Sequence, residues 1–136
     1  MTSPAIELQK TIFAALSTDA ALAEAMGGVR IFDHAPANVA FPYISFGHTS
    51  VYDWSTSTES GTEHLFTLHV WSKAKGKAEA LKIMELARTR LHDTMLEMPG
   101  HALVNLRAEF EETRFDDDLS VYRGILRFRA VIEPAA

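Results

Sequence analysis

The sequence predicts an α+β domain, a mainly antiparallel sheet packed by N-terminal helices and one long helix, forming a single unit over residues 1–136. Apolar residues recur at helical spacing near the start and again between Gly76 and Met95. Shorter stretches have strand character, with side chains that fall alternately on two faces. Their order is helix, helix, strands, helix and a final hairpin, with no internal repeat or linker.

Ser3 and Pro4 open the first helix, the serine as N-cap and the proline at the first helical position. Ile6, Phe13 and Leu16, with Ala14 and Ala15, supply its apolar stripe. A short second helix is expected over Asp19–Met26, ended by Gly27 and Gly28. Val29–Asp33 reads as a strand, and HAPANVAFP, with two prolines, as loop. Strand character resumes over Tyr43–Trp54, followed by the small polar residues of STSTESGTE. Glu63–Ser72 is a strand, and Gly76–Met95 is the longest helix. Ala80, Ile83, Met84, Ala87, Leu91 and Met95 share one face of it, with Lys77, Glu79, Lys82, Glu85 and Arg90 mainly on the other. After Pro99 and Gly100 come strands over Ala102–Thr113 and Leu119–Ile132, joined by the acidic turn RFDDD. Trp54 and Trp71 are expected in the core, where large apolar residues usually finish.

Composition narrows the function. With 47% hydrophobic and 23% charged residues, the chain can bury a real core and has no biased tract. A net charge of −5 counts against a general nucleic-acid binder, whose footprint is usually basic, while leaving room for a local basic patch. The absence of cysteine excludes disulfides, thiolate metal sites and cysteine nucleophiles, and fits a reducing compartment. No apolar run of about 18 residues and no signal-peptide pattern occurs, so no membrane segment is expected.

The run EHLFTLHVW gathers Glu63, His64 and His69 beside Trp71. On a strand, His64, Phe66, Leu68 and Val70 share one face, and Glu63, Leu65, Thr67, His69 and Trp71 the other. The two histidines point to opposite faces and cannot jointly hold one ion, and the i, i+4 spacing of a helical zinc pair is absent. Asp116, Asp117 and Asp118 lack the glycine and distal glutamate of an EF-hand loop and read as a solvated turn. Ser45 and Ser50 lie near His48 without a glycine-flanked nucleophile elbow, and neither Gly27-Gly28 nor Gly76-Lys77 completes a phosphate loop. His34, His92 and His101 are scattered. No catalytic, cofactor or metal site is expected, and no enzymatic activity.

One pattern exceeds background. In the last strand Tyr122, Leu126, Phe128, Ala130 and Ile132 face one way, and Arg123, Ile125, Arg127 and Arg129 the other. The preceding strand is expected to turn Ala102, Val104, Leu106, Ala108 and Phe110 inward, with Asn105, Arg107, Glu109 and Glu111 outward. Arginines and glutamates then lie opposite or diagonal across the polar side. This is either a solvated face with weak salt bridges or a charged surface for another subunit. Likewise Ser55, Thr56, Ser57, Thr58, Glu59 and Ser60 form either a plain mobile hairpin loop or a segment that orders on docking.

The stretches RIFDHAP, FPYISFG, DWST, EHLFTLHVWSKAKGKAEA, GHALVNLR and GILRFRAVIE occur in this order with natural spacing. Together, from about Asp19 to Glu133, they resemble the tail-completion, or tail-terminator, proteins of long non-contractile phage tails, nearest to versions from gene transfer agents and prophages of alphaproteobacteria. The resemblance implies no catalysis. It implies a structural protein of the virion or phage-like particle, assembled in the bacterial cytoplasm, that forms a six-fold homo-oligomeric ring at the head-proximal end of the tail tube. Its implied partners are other copies of itself, the major tail-tube protein and the head–tail connector protein, with DNA passing through the channel without specific binding. Closed rings need heterologous contacts. Arg123, Arg127 and Arg129, with Glu109, Glu111 and the acidic turn Asp116, Asp117 and Asp118, are the expected subunit interface. The Ser55–Ser60 loop is the candidate docking segment. A head–tail connector or neck subunit is the alternative within the same machinery, and a small ligand-binding or enzymatic α+β domain the alternative outside it.

Overall fold

The computed structural model describes residues 3–135. The Ser3 hydroxyl accepts from the Ile6 amide at 3.2 Å and starts α1 (Pro4–Ser17). Asp19 caps α2 (Ala20–Met26) in the same way at 2.9 Å, and Gly27 ends it at φ 79°, a conformation that a side chain would disfavour. Next come β1 (Ile31–Phe32), β2 (Tyr43–Asp53), β3 (Thr62–Ser72), α3 (Ala78–Leu91), β4 (His101–Asp116) and β5 (Val121–Pro134). The sheet order is β1-β2-β3-β5-β4, with β1 parallel to β2 and the other neighbours antiparallel. This is the α+β arrangement read from the sequence.

One core joins the helices to one face of the sheet. Ile12 and Leu16 of α1, Leu22 and Met26 of α2, and Ile83, Met84 and Leu91 of α3 pack with Ile44, Phe66, Leu68, Val70, Leu126 and Phe128. The buried side chains of all three helices belong to this cluster, so the opposite sheet face carries none of them. Helix packing on one side only leaves the strands alternating between this core face and an outer face.

Several elements depart from the sequence reading. The strand expected over Val29–Asp33 pairs only at Ile31 and Phe32, since Gly28 at φ 147° precedes it and the proline-bearing loop follows. On α1 the core face is Leu8, Ile12, Ala15 and Leu16, while Ile6 and Phe13 of the expected stripe are exposed. The long helix stops at Leu91 instead of Met95. His92 is extended and Asp93 takes φ 55°, and both turn onto β4: the Asp93 amide donates to the Leu106 carbonyl at 2.7 Å, and the Ala108 amide donates to His92 Nδ1 at 2.9 Å. Met95 is left 77% exposed. The final hairpin is shifted, with Leu119 in its turn instead of on β5.

The largest correction concerns β4. Leu103 pairs with Ile132 but Asn105 with Val131, and Ala108 pairs with Phe128 but Phe110 with Arg127. Val104 and Glu109 are therefore extra residues, two β-bulges in one strand. The core side carries Leu103, Leu106 and Ala108, followed by Glu111, Thr113 and Phe115, in line with their partners on β5. Val104 and Phe110, expected inside, are exposed, and Ala102 with them. Glu111, expected on the arginine side, lies on the helix side, where its carboxylate meets Arg88 of α3 at 3.1 Å.

Candidate assembly surface

The sheet face without helices is assembled from cross-strand rows. Tyr43, Trp71, Arg123 and Arg114 form the row at one end, followed by Ser45, His69, Ile125 and Glu112. Thr67, Arg127 and Phe110 come next, then Ser50, Leu65, Arg129 and Arg107, and finally Tyr52, Glu63, Val131 and Asn105. Five arginines thus share one face of an acidic chain with the carboxylates of Glu63, Glu112 and Asp116. Arg107 stands directly opposite Arg129, and Arg114 opposite Arg123. Like charges directly opposite on a sheet are destabilising unless neighbours compensate them.

Each guanidinium is held by a neighbour. Arg123 lies 5.6 Å from the Trp71 ring and Arg127 4.7 Å from the Phe110 ring. Arg129 Nε donates to Glu63 across β3 and β5 at 2.5 Å. Arg107 meets Asp93, and Arg114 meets Glu112, both at 3.6 Å. Val121, Ile125 and Val131 face the same way and are buried, as long arginine stems and aromatic rings over a sheet allow. Trp71 Nε1 donates to Ser45 Oγ at 2.9 Å and its ring stacks on Tyr43. Trp71 is half-buried on this face and Trp54 is 47% exposed, so neither is the core residue expected.

The structure gathers Arg123, Arg127 and Arg129, as the alternation requires. Asp116 ends β4 on the same face, its Oδ1 accepting from the Leu119 amide at 3.0 Å, while Asp117 and Asp118 project in the turn beyond. Glu109 is a bulge residue and Glu111 belongs to the other face. Arg107 and Arg114 join the group. Arg114 was legible by counting outward from the hairpin turn, where RFDDDLSVYR sets it opposite Arg123. The Ser55–Ser60 loop lies at the far end of the sheet, because Thr62 pairs with Ile132 while Ser72 pairs with Tyr122. It carries its own hydrogen bonds: Trp54 N to Gly61 O at 2.9 Å, Thr56 N to Glu59 O at 2.8 Å, and Gly61 N to Ser55 Oγ at 3.1 Å.

His64 and His69 stand on opposite faces. His64 is fully buried with Nε2 2.8 Å from Thr62 Oγ1; His69 lies beneath Gly47, where a β-carbon would run into its Nε2. Burial, chiefly, holds both imidazoles below their ordinary pKa, with His101 adding to the effect at His64 and Arg123 and His48 at His69. Among the described residues no three His, Asp or Glu side chains gather as a metal site requires, and no helix is long and apolar enough to cross a membrane.

The family model described as tail completion protein gp17 matches residues 10–133. Among solved structures, a chain of the virion of a native gene transfer agent (GTA) particle superposes with a TM-score of 0.89 at 29% sequence identity. The match covers 98% of this chain and 99% of that one. No curated protein matches.

Proposed function

The chain belongs to the tail completion protein gp17 family and has a structural part in the tail of a phage-like particle, and from that premise we propose that it closes into a six-fold ring. The ring caps the tail tube at its head-proximal end and presents the surface on which the head connector docks. The observation that carries this reading is the uncovered sheet face, with five arginines, four of them in two like-charged pairs. Such a face suits an acidic protein surface, and each copy has one to offer in Asp116, Asp117 and Asp118 at the tip of its last hairpin. Two different patches on one molecule make a heterologous contact, which builds rings when the rotation closes.

Particles from a producer lacking the gene test the role. Electron microscopy is expected to show full heads beside unjoined or overlong tails; normal particles overturn it. The contact itself is tested by Arg127→Glu with Arg129→Glu, which is expected to remove rings from purified tails. Rings at unchanged occupancy would move the contact elsewhere on the subunit.

A further inference from the structure

At the Tyr43 end of the sheet the surface opens into a cavity of about 540 Å³, walled by Val39, Phe41, Tyr43, Trp71, Lys73 and Leu119. Three of these are aromatic and packed on one another. Phe41 meets Tyr43 edge-on at 5.0 Å, and Tyr43 stacks on Trp71 at 6.1 Å. Two cations lie against the same rings, Lys73 Nζ 4.4 Å from Phe41 and Arg123 5.6 Å from Trp71. No carboxylate lines the cavity. The strand then leaves through Lys73-Ala74-Lys75-Gly76-Lys77, three exposed lysines in five residues. None of them has a carboxylate partner among the described residues.

We propose that the cavity and its lysine rim form a docking site for an extended acidic segment of a partner protein. A large apolar side chain of that segment fills the aromatic cavity, and neighbouring carboxylates lie along Lys73, Lys75 and Lys77. Buried aromatic pockets with charged rims are where protein interfaces concentrate affinity and orientation. The site also fixes a direction. Leu119, which also lines the cavity, follows Asp118, so the carboxylates of the segment lie on the lysine side. The same acidic turn disfavours a nucleic-acid backbone, whose phosphates it repels. The inference rests on membership in a tail assembly and not on ring closure.

The test uses the full chain and three probes: a short fluorescent peptide with one leucine among aspartates, its counterpart with lysines, and a short DNA duplex. The acidic peptide is expected to bind, to perturb tryptophan fluorescence, and to weaken about tenfold with Lys73→Glu and Lys75→Glu, in line with the loss of two charge contacts. Equal binding of the lysine peptide, or tighter binding of DNA, overturns the proposal. In assembled particles, p-benzoylphenylalanine in place of Lys75 is expected to crosslink to an acid-rich segment of another protein. A crosslink to DNA, a crosslink to a second copy, or none at all sinks the site. Normal particles without the gene would instead sink the tail-completion role and leave the peptide result standing.

Discussion

His64 shows what a single buried titratable group does to stability. Its ring is fully buried, and its Nδ1 has no hydrogen-bond partner among the described residues. Burial lowers the folded pKa, so the unfolded chain takes up a proton that the folded chain refuses. The contribution is complete above the ordinary histidine value of about 6.5 and is lost as pH falls from there through the lowered folded value, at up to about 1.4 kcal/mol per pH unit. Urea titrations at pH 7.5 and 5.5 should show this loss, and His64→Gln should flatten it. A variant as pH-sensitive as the parent would assign the slope to other groups. Gly47 gives a second prediction. Alanine there meets the His69 ring and should cost about 1–3 kcal/mol by thermal unfolding. Adding His69→Ala should recover part of that loss; an unchanged double variant would locate the strain in the backbone. The opposite faces of the two histidines were legible from strand parity alone. The lid that Gly47 forms over His69 was not, because it arises where the β2 ladder shifts between Phe46 and Thr49.

At the scale of elements, the edge strand β4 is where sequence and structure part. Alternation carries a reading forward only while the ladder is unbroken, and nothing in Val104 or Glu109 marks either as an added residue. Between the two bulges the expected faces hold at Leu106, Arg107 and Ala108; beyond the second they reverse, which moves Glu111 to Arg88 and Phe110 to Arg127. The β3–β5 ladder is continuous from Thr62 with Ile132 to Ser72 with Tyr122, and there every face was read correctly. The end of α3 was missed for a related reason. The His92–Asp93 bonds that end it go to Leu106 and Ala108, partners distant in sequence. These bonds also cover part of the open edge of β4, where unpaired backbone groups invite foreign strands. His92→Leu removes the acceptor for the Ala108 amide and should speed its hydrogen exchange about tenfold, the worth of one net hydrogen bond. Exchange at the parent rate would show that the edge is protected by other means.

For the whole molecule, the decisive fact is that the helices cover one side of the sheet. The fold class and the arginine side of β5 could be read from the sequence; the end of the sheet that carries the acidic turn, and the opposite placement of the Ser55–Ser60 loop, needed the topology. If charge drives the ring contact, rings on isolated tails should weaken as salt rises from 0.05 to 0.5 M, where the Debye length contracts from roughly 14 to 4 Å. Salt-independent rings would point to an apolar contact. In the single subunit the sheet face opposite the helices lies open. Val121, Ile125 and Val131 on that face are nonetheless buried, and two of the arginines that share it rest against the rings of Trp71 and Phe110. If the proposed ring contact holds, the same guanidiniums have two employments: they shelter the apolar side chains beneath them while the face is open, and become the adhesive once a second copy covers it.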